Sequence, residues 1–142
     1  MRSAARRAAC DEHGAAAVEF AILAPVFLLM LTGMMAYGIY FGAAHSVQQI
    51  AADAARTSIA GLSDTEREAL VEAFIEANAA GYMLIDASRV TFDVGDNPAD
   101  PNQYRVTVSY DASGLPIWNL YPPLPLPGET IVYTSSIRKG GI

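Results

Sequence analysis

The sequence predicts an α+β fold carried on a membrane helix: a long N-terminal transmembrane helix extending outward, then one helix packed on an antiparallel sheet of about three strands. Three observations carry this reading. The 25 residues from Phe20 to Ala44 contain no charge. Apolar residues then recur at three- and four-residue intervals as far as Gly61, and again after Ser63. Beyond Gly81 the pattern becomes an alternation of apolar and polar residues, which is the strand period.

A chain of 142 residues has room for one domain at most, and the apolar helix uses a large share of it. The charge of −6 is unevenly spread. The stretch up to Gly14 holds Arg2, Arg6 and Arg7 against Asp11 and Glu12, a net +1, so the remainder carries −7. An acidic remainder argues against nucleic acid, whose phosphates require a basic face. Cys10 is the single cysteine. It permits no intrachain disulfide, so the outer domain must fold on apolar burial alone. Ala8-Ala9-Cys10 does not read as a lipoprotein site, because arginines rather than an apolar run precede it.

As a helix, Phe20–Ala44 would span roughly 37 Å, enough to cross a hydrocarbon core of about 30 Å. Arginines flank its start, whereas His45-Ser46-Val47-Gln48-Gln49 after it carries no Lys or Arg. By the positive-inside rule the N-terminus is cytoplasmic and the rest is exported. The organisation expected is a cytoplasmic leader over 1–14, a transmembrane helix over 15–44, an extramembrane extension over 45–61 and a small acidic domain over 62–142. A cleavable signal peptide competes, since Gly42-Ala43-Ala44 offers small residues of the kind a signal peptidase accepts. The apolar run is longer than a signal core of about 7–15 residues, which favours retention.

In the extension, Val47, Ile50, Ala51 and Ala54 form a stripe opposite Gln48, Gln49, Asp53 and Arg56. A helix from Ala15 to Gly61 would be roughly 70 Å long, with Pro25 loosening it locally. Ser63-Asp64-Thr65-Glu66 has the form of a capping box and should start the second helix. Leu70, Val71, Phe74 and Ile75 are its expected buried stripe, Glu68, Glu72 and Glu76 its wet face, and Gly81 its stop. Val90, Phe92 and Val94 alternate with polar neighbours, as do Tyr104, Val106, Val108 and Tyr110. They predict two strands joined by a longer loop over 96–102. Ile131-Val132-Tyr133-Thr134 is the third strand candidate.

Between the second and third strands, Leu115–Pro127 contains five prolines and cannot form regular structure. Trp118 and the leucines there read as a flap closing a thin core, in preference to a partner-docking loop built on Trp118, Tyr121, Pro122 and Pro123.

The stretch Gly14-Ala15-Ala16-Ala17-Val18-Glu19-Phe20-Ala21-Ile22-Leu23-Ala24-Pro25 resembles the N-terminal signature of the TadE and TadG family, type IVb pseudopilins encoded with Flp pili. Gln48–Arg56 resembles that family's alanine-rich segment, and the C-terminal part matches more loosely. The short outer domain favours the TadE-like type. The resemblance implies a membrane-held minor pseudopilin that takes part in assembling or priming a tight-adherence pilus. It further implies prepilin-peptidase cleavage after Gly14, recognition through Gly14, Ala15, Glu19 and Phe20, and pairing of the new amine of Ala15 with Glu19 of a neighbouring subunit to set register. Flp pilins favour Tyr where this chain has Phe20. Implied partners are the peptidase, other Flp/Tad pilus and pseudopilin subunits, the inner-membrane assembly platform and membrane lipid. The implied location is the bacterial inner membrane, with the C-terminal domain extracytoplasmic or within the pilus.

Physically, Gly14 offers a peptidase an unhindered, extended backbone at the edge of a helix, and Glu19 is a costly charge at the head of an apolar run unless it gains a cation. A glycine merely starting a helix, and a headgroup-level glutamate stabilised by the helix dipole, are the plain alternatives. Gly38 and Gly42 form a G-x-x-x-G face suited to helix packing, with Gly33, Met34 and Met35 adding a pliable surface. No catalytic motif, cofactor site or paired cysteines are present in the sequence, and an enzyme is not expected. Asp93, Asp96, Asp100 and Asp111 fit no EF-hand spacing and read as turn carboxylates rather than a metal site. The alternative from another class is an unprocessed single-pass protein whose outer domain binds an envelope ligand or scaffolds a complex.

Overall fold

A computed structural model describes residues 3–120 and 125–139. The element order is α1 (Ser3–Ser58), α2 (Asp64–Asn78), β1 (Val90–Asn97), β2 (Asp100–Asp111) and β3 (Thr130–Arg138), an α+β arrangement with one long apolar helix at its head. The chain divides into two compact units, Met1–Ala36 and Tyr37–Ile142.

In the first unit α1 starts at Ser3 rather than Ala15, so the leader is helical as well. Ala4, Ala5, Ala8 and Ala9 explain this, since alanine is the best helix former and nothing between Ser3 and Gly14 breaks the run. The helix continues through Pro25, which has no amide to donate to Ala21. Phe20, Val26, Phe27 and Met34 are each at least 60% exposed, and apolar side chains cover the helix all round. Such a helix needs a non-aqueous surrounding. Its 18-residue apolar window has a mean hydropathy of 2.2 and none of it is buried within the protein, which is the length and composition of a single membrane span. Thr32 satisfies its hydroxyl locally by donating to the carbonyls of Leu28 and Leu29.

In the second unit the remainder of α1 behaves oppositely. Ala43, Ala44, Val47, Ile50, Ala51, Ala54, Ala55 and Ser58 are all buried. The amphipathic stripe over 45–61 is therefore part of the core of the same compact unit as the sheet. The helix proper ends at Ser58, a turn before Gly61, where successive i→i+3 bonds tighten the chain. Gly61 has a steric reason to be glycine: a Cβ there would lie 2.8 Å from the Arg67 amide nitrogen.

Ser63 caps α2 by accepting from the Glu66 amide at 3.2 Å. The reciprocal half of the box is displaced by one residue, because the Glu66 carboxylate accepts from the Leu62 amide at 2.8 Å. Val71 and Ile75 are buried as expected, while Leu70 and Phe74 are only half-buried. Arg67 of α2 reaches the sheet, its guanidinium 5.8 Å from the centre of the Tyr104 ring. Glu68, Glu72 and Glu76 face solvent.

The sheet is an antiparallel meander in the order β1-β2-β3. Register places Val90, Phe92 and Val94 beside Tyr110, Val108 and Val106, and these beside Ile131, Tyr133 and Ser135. All four apolar residues of β2 on this face, Tyr104, Val106, Val108 and Tyr110, are at most 2% exposed. The opposite face is polar, with Thr107 and Thr134 in hydrogen-bond contact and Arg105 paired with Asp93. The hairpin between β1 and β2 is tighter than the loop expected from Asp96–Asn102. Asn97 pairs with Asp100 across Pro98-Ala99, and the register shift after Asp96 absorbs the extra residues on β2. Side chains close it: Asn97 accepts from the Ala99 amide, and Asp100 from the Asn102 amide.

Because Ile50 is completely buried, Ile50→Ala should destabilise a 37–142 fragment by about 2–5 kcal/mol in urea unfolding. A fragment starting at Ser63 should show no cooperative transition. An unaffected Ile50→Ala variant, or a folded 63–142 fragment, would show that the α1 stripe is dispensable.

Candidate functional site

In the first unit, Gly14, Ala15, Glu19 and Phe20 all lie within α1 with exposed side chains. Ala15 and Glu19 are four residues apart and share a helix face. The extended backbone expected at Gly14 is absent, because α1 runs through the 14–15 peptide bond. A protease acting there must open helix first. Glycine, at about 1 kcal/mol less favourable than alanine in a helix interior, makes this the easiest turn of the leader to open. A Cβ at Gly14 would meet nothing, so close packing is not what requires the glycine.

The G-x-x-x-G face divides. A Cβ at Gly38 would meet nothing, whereas one at Gly42 would lie 3.1 Å from Leu84 Cδ1 of the same chain. Gly42 is thus used for packing inside the second unit. Leu84 is in the left-handed region, φ 63°, which costs a non-glycine residue about 1–2 kcal/mol. Its surroundings hold it. The Tyr110 hydroxyl donates to the Leu84 carbonyl at 3.2 Å, and Ser46 Oγ donates to the Met83 carbonyl at 2.8 Å. Two residues earlier, the Tyr82 hydroxyl donates to Asp53 Oδ2 at 2.9 Å, while the other oxygen of Asp53 accepts from Arg56. The segment 82–84 is in this way fastened to α1 by Ser46 and Asp53, and to β2 by Tyr110.

Burial, then the hydrogen bond to Asp53 and its negative charge, push the Tyr82 phenol up to about 12. Tyr104 is raised as well, first by burial and then by the charges of Glu68 and Asp64. Arg89 joins two Asx turns. It reaches Asp86 at 3.5 Å and Asp111 at 3.2 Å, and donates to Ser113 Oγ. Asp86 and Asp111 each accept from the hydroxyl or amide of the serine two residues on, Ser88 and Ser113, and these bonds hold both carboxyls below the usual range. Asp93 pairs with Arg105, and Asp96 with Lys139, which also reaches Asp64 on α2. The four aspartates are spread among separate ion pairs and turns, and among the described residues no three His, Cys, Asp or Glu side chains gather as a metal site requires.

The described start of the proline-rich segment, Leu115–Trp118, packs against the core. Ile117 is completely buried, Leu115 is 7% exposed, and the Trp118 indole donates to the Ala112 carbonyl at 2.7 Å. Tyr121, Pro122 and Pro123 lie outside the described residues. Beyond them, the Pro125 carbonyl accepts from the Tyr37 hydroxyl of α1. Tyr37, Ser46, Asp53 and Tyr82 were not legible as a set. A lone tyrosine or serine gives no periodic signal, and the pairs are far apart in sequence.

Residues 14–56 match the model of the TadE family, described as TadE-like protein. The N-terminal segment of the chain is therefore TadE-like, and the match ends within the buried stripe of α1. No curated protein and no solved structure matches the chain.

Tyr82 favours its neutral form more strongly when folded than when unfolded, where it ionises near pH 10. Its contribution to stability is therefore complete below about pH 10 and is lost as pH rises toward about 12. Tyr82→Phe should flatten part of the alkaline fall in stability of a 37–142 fragment, leaving a remainder from Tyr104. Urea midpoints across that range measure it, and an unchanged fall would remove Tyr82 from the linkage.

Proposed function

We propose that this TadE-like chain works as a minor pseudopilin in the assembly or priming of a Flp-type tight-adherence pilus. The observation that carries the reading is the coincidence of the TadE-like match over 14–56 with an exposed apolar helix headed by Gly14, Glu19 and Phe20. In this reading a prepilin peptidase cuts after Gly14 on the cytoplasmic side, where Arg2, Arg6 and Arg7 hold the leader. The inner membrane retains the apolar helix over 15–44, and the chain from residue 45 onward faces outward.

An ionised carboxylate at the head of an apolar helix costs several kcal/mol when it is drawn into lipid or a subunit interface unpaired. Cleavage creates a compensating cation, the α-amine of Ala15, which a neighbouring subunit can present to Glu19. The pairing sets the axial register of helices whose other contacts are apolar and slide easily. Partners in this reading are the peptidase, other Tad pilus and pseudopilin subunits, and the assembly platform. No catalytic residue and no cofactor is assigned.

The second reading, an unprocessed single-pass protein whose outer domain binds or scaffolds, draws support from the unbroken helix across the 14–15 bond. The mature N-terminus separates the two. Sequencing the membrane-extracted protein should give Ala15 for the pseudopilin, and an intact leader for the plain anchor. His45 would indicate signal-peptide removal. A reporter fused after Ile142 should be active only outside the cytoplasm.

Glu19→Gln keeps the size of the side chain, removes its charge and makes insertion into lipid easier. The variant should be inserted and cut after Gly14, yet fail to associate with pilus proteins and fail to support piliation. Cleavage is the necessary control, since an uncut protein also lacks the amine. Normal piliation by a correctly processed variant would overturn the subunit contact.

A further inference from the structure

We infer that the second unit has a built-in membrane-contact rim: Phe41 of α1 and the segment 125–133 sit together in the headgroup layer, binding the acyl–headgroup boundary of lipid. The inference rests on α1 being a membrane helix and goes beyond it by assigning a lipid-facing side to the outer domain. Depth comes from the chain itself. Phe20 to Tyr40 of α1 covers about 30 Å, the hydrocarbon thickness, so Tyr37–Ala44 must lie at its outer boundary and in the headgroup layer, which adds about 5–7 Å on each side. Whatever touches those residues is held at the same depth.

Two contacts do so. The Tyr37 hydroxyl donates to the Pro125 carbonyl, and Tyr40, Phe41 and Ala44 line one side of an open groove of about 370 Å³ whose other side is Thr130–Tyr133 at the edge of β3. The surface has the chemistry of that layer. Tyr37, Tyr40 and Phe41 form a cluster with ring centres 6.0 and 6.1 Å apart, in the manner of the aromatic belts found where hydrocarbon meets water. Phe41 is 62% exposed and Val132 52% exposed, an unfavourable display in water beside a groove. Across Tyr37–Ala44 and Pro125–Tyr133 the one charged residue is Glu129, in a chain of net charge −6. Without Lys or Arg the rim has no means of attracting anionic headgroups. The partner is the apolar–polar boundary of the bilayer, irrespective of lipid charge.

The test uses the full chain in vesicles of phosphatidylethanolamine with phosphatidylglycerol, and again in phosphatidylcholine alone. Cys10 is replaced by Ser, and single cysteines carrying a spin label are placed at Phe41→Cys, Gly128→Cys and Val132→Cys. Gly128 suits a label because a Cβ there meets nothing. Phe27→Cys reports the span, and Glu72→Cys the exposed face of α2. Collision with oxygen, concentrated in lipid, should exceed collision with an aqueous nickel chelate at positions 27, 41, 128 and 132, and the ratio should invert at 72. Both lipid mixtures should give the same order. If position 27 reads lipid while 128 and 132 read water like 72, the rim is overturned and the membrane span stands. If 27 also reads water, the span itself fails. Protection of 128 and 132 from both reagents would mean a protein, such as a strand added to the β3 edge, covers the groove, and would equally overturn the lipid assignment.

Discussion

Burial of the small-residue stripe of α1, from Ala43 to Ser58, is the interaction on which the second unit depends. A three-stranded sheet and a 15-residue helix offer few apolar side chains, and the chain has no disulfide to compensate. Alanine at 43, 44, 51, 54 and 55 is buried there together with Val47 and Ile50. The cost of such a stripe is that each alanine buries little area. The polar fastenings at Ser46 and Asp53 add to it, along the segment that returns from α2 toward the sheet.

This gives the TadE-like match a physical division. Its first half is exposed and apolar, shaped by a surrounding that is not water. Its second half is buried in the folded unit, shaped by packing. A sequence signature covering both is then expected to tolerate apolar exchange among residues 20–36 more freely than among 43–58, where a larger side chain meets a wall of protein instead of fluid lipid.

Much of the architecture was legible because it is periodic. The uncharged run, the 3.6-residue stripes and the alternation at Val90–Val94 and Tyr104–Tyr110 each report an element through one repeated physical requirement. What escaped was of three kinds. Competition among local signals moved the start of α1 to Ser3, where alanine propensity outweighs Gly14 as a boundary. Turn chemistry tightened the Asp96–Asn102 connection, because Asn97 and Asp100 bond their own backbone. Long-range polar pairs, Tyr82 with Asp53 and Tyr37 with Pro125, leave no periodic trace at all. The roles proposed for Gly14, Ala15, Glu19 and Phe20 rest on resemblance, and the fold adds only that Ala15 and Glu19 share a helix face and that Gly42 packs against Leu84.

The start of α1 at Ser3 has an electrostatic consequence. In the intact chain Glu19 lies deep in the helix, where every amide is paired along the axis and the macrodipole offers a carboxylate nothing. Severing the 14–15 bond would leave the side chain where it is and move the helix terminus to it. Unpaired amides carrying about half a positive charge would then open beside Glu19, together with a new ammonium. The same carboxylate would pass from a liability to a counter-ion with no rearrangement of the fold, so that removal of the leader would act as a chemical clock for the helix becoming fit to meet another helix.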